Sequence, residues 1–375
     1  MAITIRPRPA RSQLQYAFIA ATVIAAFAAV LPVVAAMFAG TGAGVTARTA
    51  FALAPSGNYA VVSRPEEAFD VIGIVSAAGG DPIEIARVPH LPGFTATGAV
   101  SADGRMVALV AADGGSLARP EASLLVMDLE VGRFRQVLSG VDTLQAPLWA
   151  PDGRTVVVSR AIANGSPRPA HRFLRVAADG SGSTALYDVE DALGAYAVGF
   201  EPAGALLGVR IDGAGSHLTR DGLLVATISN QITRDWRLSP DGRQLAFIEA
   251  NLDAGLRYVA RTVSLDGTSG RTVEAQSRPG GQQLGVAWRP GASVPTVGQQ
   301  PLASSTAREL GRGEHQIAAG FDVPLDFSRD GSALAVNHWE GVSFADAGSS
   351  SLEIVTEAGR INVAGYSRFF GWASR

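Results

Sequence analysis

The 375-residue chain carries a formal net charge of -3, lacks cysteine, and draws all 31 of its basic residues from arginine. That balance argues against a nucleic-acid partner, and the two missing residue types exclude disulfides, thiolate nucleophiles, cysteine metal sites, lipoprotein acylation and lysine Schiff bases. The length admits one large all-β domain or two or three ordinary ones.

The first element in chain order is the uncharged run YAFIAATVIAAFAAVLPVVAAMFA, 24 residues from Tyr16 to Ala39. At about 1.5 Å per residue, a helix of this length crosses a hydrocarbon core of roughly 30 Å. Arg6, Arg8 and Arg11 precede the run, and the next charge is Arg48. The positive-inside bias therefore predicts a cytoplasmic tail over residues 1–13, a transmembrane helix over 14–39 in contact with membrane lipid, and an extracytoplasmic body. Pro32 is tolerated in such a helix. The alternative is a secretory signal cut among the alanines between Ala39 and Ala47, which leaves the body secreted or periplasmic. Residues 40–50, GTGAGVTARTA, read as a short flexible linker.

From residue 51 onward one phrase recurs: VSADGRMVALVAAD from Val100, LWAPDGRTVVVSR from Leu148, LSPDGRQLAFIE from Leu238 and FSRDGSALAVNHWE from Phe327. Ser239 to Gly242 suits a type I turn. Pro240 occupies the second position, where its fixed φ is already right, and Gly242 takes a left-handed position that glycine alone enters cheaply. The residues that follow are apolar on both faces of an extended segment, so the strand is covered on both sides. Turn glycines fall at Gly57, Gly104, Gly153, Gly204, Gly242, Gly291 and Gly331, spaced by 38 to 51 residues. An apolar residue precedes each turn: Leu53, Val100, Trp149, Phe200, Leu238, Trp288 and Phe327, with Trp372 as a further copy near the end. Each interval holds about four strand-sized pieces, the pattern of propeller blades.

The phrases SPDGRQLAF and APDGRTVVV, the latter with Trp149 three residues before Asp152, resemble the WD40-like repeats of TolB-type β-propellers over roughly residues 49 to 375. The resemblance implies an all-β fold and either a scaffold that binds partner proteins or the propeller domain of a peptidase. The Gly-His and Trp-Asp dipeptides of true WD repeats are absent, as is the Gly-x-Ser-x-Gly elbow of the peptidases' hydrolase domain. Seven turn phrases predict a β-propeller of seven four-stranded blades over 51–375. The strand-poor sixth repeat, from Trp288, leaves six open, and FFGWASR leaves eight open if it starts a blade rather than closing the ring.

No cofactor, metal or catalytic set emerges. Five histidines, His90, His171, His217, His315 and His338, are scattered without ligand spacing and read as surface or loop residues. The nine Asp-Gly pairs read as turns, since no calcium loop occurs. The candidate interaction rim lies seven residues past the turn glycines, at Arg64, Arg160, Glu249 and His338. The segment Arg160 to Arg172, RAIANGSPRPAHR, adds Arg168, His171 and Arg172 as a docking loop. The leading expectation is a membrane-anchored, noncatalytic, extracytoplasmic propeller that binds an envelope protein. The competing one is an exported propeller enzyme or small-ligand receptor using the central channel.

Overall fold

The repeated turn forms as its residues dictate. In Ser239–Gly242 the Gly242 amide donates to the Ser239 carbonyl at 2.8 Å with Gly242 at φ +70°, while the Ser239 hydroxyl donates to Asp241 at 2.6 Å and accepts from the Gln244 amide at 2.9 Å. Ser101–Gly104 and Ser328–Gly331 repeat the same set, each serine hydroxyl donating to the aspartate two residues on. The turn thus saturates its own polar groups, and the strand leaving it can be apolar throughout.

The computed structural model describes residues 46–47, 57–143, 145–166, 168–252, 255–265, 272–274, 281–300, 310–311, 317, 319–343 and 345–374. The expected cytoplasmic tail, the transmembrane helix and most of the linker lie outside the described residues. Among the described residues no helix is long and apolar enough to cross a membrane. Every regular element described is a strand.

The strands form antiparallel up-and-down sheets in chain order. The second blade takes Thr97–Val100, Met106–Ser116, Arg119–Asp128 and Arg133–Val141; the third runs from Leu148–Trp149 to Ser183–Val189. The fourth runs from Gly194–Phe200 to Leu223–Ser229, the fifth from Ile232–Leu238 to Thr272–Glu274, and the last from Phe321–Phe327 to Gly359–Asn362. In the first blade, Asn58–Pro65, Phe69–Ser76 and Ile83–Pro89 are completed on the inside by Arg368–Ser374 from the C-terminus, with Asn58 opposite Ser374 and Ala60 opposite Trp372. Arg368–Ser374, overlapping the segment FFGWASR expected to close the ring, is therefore the closing strand, and it covers the inner edge of Asn58–Pro65. The two-residue strand Thr46–Ala47 pairs with Arg87 and Ala86 on the outer side of this sheet.

Among the described residues six blades have four strands or more, rather than the seven expected. At the sixth turn, around Gly291, the described residues form a two-stranded sheet, Gln283–Ala287 with Thr296–Gln299. The segment that follows, PLASSTARELGRGEHQIAAG, lies largely outside the described residues. Leu310 and Ile317 each add one side chain to the flanking cores.

Alternation along each second strand feeds two cores at once. In Gln244–Asn251, Leu245 and Phe247 enter the cluster shared with Leu207, Val209 and Leu218 of the fourth blade. Ala246 and Ile248 enter the cluster shared with Val286 and Trp288. Each fully buried large side chain of this kind contributes about 1.5–3 kcal/mol, so both faces of a strand hold the blade to its neighbours.

Candidate functional site

Two surfaces follow from this topology. Turns between the first and second strands lie on one face of the ring, and connections after the second and fourth strands lie on the other.

On the second face, Arg64, Arg160, Glu249 and His338 occupy equivalent positions near the ends of their second strands, and each is tied into the scaffold. Arg64 pairs with Glu66 at 2.8 Å and stacks on the Tyr366 ring. Arg160 donates to the Gly140 and Ser139 carbonyls of the second blade at 2.8 and 2.6 Å, joining two blades. Glu249 accepts from Ser229 at 2.7 Å and pairs with Arg261 at 3.0 Å. His338 bonds Asp322 at 3.0 Å, and Asp322 is held in turn by Arg360, which also binds Glu353 at 2.7 Å.

The expected docking loop is shorter than Arg160 to Arg172. Thr155–Ile162 and Ala170–Ala177 pair as far as Ile162 opposite Ala170, so Arg160, His171 and Arg172 are strand residues and the loop spans 163–169. Arg160 and Arg172 stand directly opposite each other, a repulsive arrangement relieved because Arg160 turns to carbonyls and Arg172 makes a bidentate pair with Asp188, both bonds 2.8 Å. Arg168 stands exposed on the loop.

The histidines are not simple surface residues. His90, His171, His217 and His338 each face an aspartate, Asp70, Asp142, Asp212 and Asp322, at 3.7, 3.7, 2.9 and 3.0 Å. His90 and His217 are buried. A hydrogen bond to Asp322 raises the pKa of His338 against the effect of burial. Burial opposes the charge of Asp322, but hydrogen bonds from His338 and Arg360 hold its carboxyl below the usual range. His315 lies outside the described residues. No group of three or more potential ligand side chains that could hold a metal occurs among the described residues.

The same rim carries apolar side chains that the charge-based reading missed. Leu193, Ile232, Leu252 and Leu256 are 57, 55, 44 and 43 % exposed. Leu193 and Ile232 stand at the starts of adjacent innermost strands, while Leu252 follows the second strand and Leu256 precedes the third strand of the fifth blade, the blade of Ile232. Leu256 holds φ +43°, a left-handed conformation that a leucine rarely adopts. The sequence signal was present as ISNQIT and NLDAGLR, apolar residues placed at turns.

At the centre is a cavity of about 700 Å³ lined by the innermost strands. Its wall includes Tyr196, Trp236, Asp235, Arg237, Asp326, Arg329 and Phe369. The innermost strands are bulged: the register slips between Ala197 and Gly199, Arg234 and Arg237, Gln283 and Val286, and Pro324 and Asp326. The closing strand slips as well, skipping Phe370. Of the skipped residues, Val198, Asp235, Trp236, Leu325 and Phe370 line the cavity, while Leu284 and Gly285 do not. Bulges re-aim side chains in this way. Asp235 sits in its bulge at φ +55°, and Trp236 stacks at 4.9 Å on Tyr196 from the neighbouring blade. The mass of the ring around Asp326 pushes its carboxyl up to about 6 although the side chain opens to the channel, with the charge of Arg237 opposing the shift.

No family model matches the chain, and no curated protein matches its sequence. Solved structures do match in fold. An acylaminoacyl peptidase from Pyrococcus horikoshii is similar over 85% of this chain and 52% of its own, at 11% identity and TM-score 0.53. A prolyl endopeptidase is similar over 85% of this chain and 49% of its own, at 14% identity and TM-score 0.51. A structure named as TolB from Agrobacterium tumefaciens is similar over 84% of this chain and 99% of its own, at 13% identity and TM-score 0.44. The chain spans about half the length of the two peptidase chains. At these identities the likeness to the two peptidases shows the fold alone.

Proposed function

We propose that this chain is a membrane-anchored, extracytoplasmic, noncatalytic β-propeller that docks an envelope protein on the rim formed by Leu193, Ile232, Leu252 and Leu256. The exposure of these four side chains together on one rim of a rigid ring carries the reading. Single exposed leucines are ordinary on a protein surface, whereas neighbouring ones on adjacent elements mark interaction sites. The rim charges support it in a second way: Arg64, Arg160, Glu249 and His338 are spent on internal bonds, which leaves apolar contact as the main source of affinity there. Aliphatic anchors surrounded by satisfied polar groups are a common interface arrangement. Arg168, exposed on the 163–169 loop, adds a charge at the edge of the same face.

The anchor is the run Tyr16 to Ala39. Retention in the membrane pellet through a carbonate wash is the expected behaviour, and release of intact protein by that wash removes the anchor from the account. The rim is tested by Ile232→Glu and Leu252→Glu, each compared with Leu223→Glu on the opposite face. Co-purification of the native complex should fall at least about tenfold for the rim variants alone. Equal recovery in all three variants eliminates the rim as a docking surface.

A further inference from the structure

We propose that the central channel is a separate binding site for a small zwitterion, an apolar amino acid or a short peptide, whose ammonium meets Asp326 and whose carboxylate meets Arg237 and Arg329. The cavity, about 700 Å³, falls within the roughly 300–1,000 Å³ range of small-molecule sites. These three charged side chains line it, all exposed, and none makes an ion pair among the described residues; the fourth charged group of the wall, Asp235, is paired with Arg234 at 3.7 Å. Arg237 donates one hydrogen bond, to the Trp236 carbonyl at 3.1 Å, and its remaining N–H groups are available. Gln145, buried in the same wall, leaves its side-chain carbonyl without a hydrogen-bond partner.

The charge pattern selects the ligand class. A neutral occupant that displaced water from this cavity would leave full charges desolvated, and a purely anionic or cationic one would satisfy only half of them. A ligand with both charges satisfies both sets. Between the charges the wall is aromatic and apolar, with Trp236, Phe327 and Phe369, which fits an apolar side chain better than a polar one. The bulges supply the preorganisation: Asp235 and Trp236 are turned toward the cavity by a left-handed residue that the pairing of a regular strand would not require. Backbone held in a sparsely populated conformation beside a cavity is a recurrent feature of ligand sites.

The test is calorimetric titration of full-length protein with the standard amino acids and their Ala-X dipeptides, with channel tryptophan emission as a second readout. L-phenylalanine is compared with 3-phenylpropionate, which lacks the ammonium, and with phenethylamine, which lacks the carboxylate. Zwitterions with apolar side chains should bind at least about tenfold tighter than either half-charged analogue. Asp326→Asn should abolish preference for phenylalanine over 3-phenylpropionate, and Arg237→Gln should abolish preference over phenethylamine. Leu223→Ser, far from the channel, should bind as the parent does, and melting curves establish that each variant is folded. Three results each overturn the proposal: no binding by any zwitterion, equal binding by the half-charged analogues, or binding unchanged in both folded charge variants. None of these outcomes bears on the rim, so the docking reading stands or falls separately.

Discussion

The indole Nε1 of Trp372 donates a 3.2 Å hydrogen bond to the backbone carbonyl of Asp326, tying the closing strand to the last blade. Trp149 reaches back in the same way to Ala99 at 2.9 Å, and Trp288 to Arg237 at 3.0 Å. Each tryptophan stands one residue column further along than the carbonyl it binds, on the innermost strand or just past its end. The bond thus links consecutive sheets near the channel and fixes their spacing. At the closure, the Asn58 amide adds bonds to Asp330 and Ser332 at 2.9 and 3.1 Å, and Arg368 donates to the Ala96 carbonyl of the second blade at 3.0 Å.

Trp372→Phe keeps most of the buried ring and loses the bond, so the domain should be destabilised by about 1 kcal/mol. Trp372→Ala also opens a cavity and should cost about 3–5 kcal/mol. Deleting residues 368–375 exposes the edges of the first blade and should produce aggregation as well as lower melting. A deletion variant that melts as the parent and stays monomeric would show that the ring closes elsewhere.

Two turn glycines should respond differently to alanine. Gly153 and Gly242 both hold left-handed φ, +64° and +70°. A Cβ at Gly153 meets nothing closer than 3.7 Å, whereas at Gly242 it would lie 2.6 Å from Cδ of Pro202 in the preceding blade's turn. Gly153→Ala should therefore cost about 1–2 kcal/mol from backbone strain alone, and Gly242→Ala should cost measurably more. Denaturant melts of the pair check the order, and a reversed order contradicts the inter-blade packing of these turns.

How much of this was legible in the sequence varies with the range of the interaction. The turn of Ser239–Gly242 and the two-faced strand after it are set by adjacent residues, so turn chemistry and alternation read them directly. FFGWASR was recognisable as the closing strand because Trp372 continues the apolar column of Trp149 and Trp288. A turn phrase at Gly291 announces a blade, whereas the described residues form two strands there. The histidine pairs were invisible because their partners lie on other strands: His90 and Asp70 meet across a sheet, not along a strand. At the rim, position seven after each glycine was found, but charge was taken as the signal. Burial of those charges against Asp322, Arg261 or backbone carbonyls could not be foreseen from spacing, and the leucines beside them went unread.

The His338–Asp322 clasp should give the fold a pH dependence. His338 is raised above its ordinary value by its bond to Asp322. Its contribution is therefore fully present below about pH 6.5 and is lost as pH rises through the folded value. Asp322 is depressed, so its contribution is present above about pH 4 and is lost as pH falls. Thermal melts should decline on both flanks; His338→Gln should flatten the alkaline flank and, because Asp322 loses one of its partners, make the acid flank shallower without abolishing it. An unchanged alkaline slope in that variant would remove the clasp as its cause.

Asp326 should behave oppositely. Desolvation within the ring pushes its carboxyl up to about 6 although the side chain opens to the channel, so the folded state disfavours its charge and stability falls as pH rises from about 4 through 6. Asp326→Asn should then melt no lower than the parent at about pH 8, even as it loses the zwitterion. The same titration predicts that the parent's ligand affinity weakens below about pH 6, where Asp326 becomes neutral. A variant that melts well below the parent would show that Asp326 serves the fold rather than the channel.

The most direct test of the account as a whole is site-specific photocrosslinking in native membranes, with a photoreactive amino acid placed in turn at Ile232, Leu252 and Leu223. If the leucine-bearing rim docks an envelope protein, positions 232 and 252 should give the same discrete adduct and position 223, on the opposite face, should give none. Adducts absent from both rim positions, or equally strong at position 223, would contradict the claim that this propeller works as a docking scaffold through that rim.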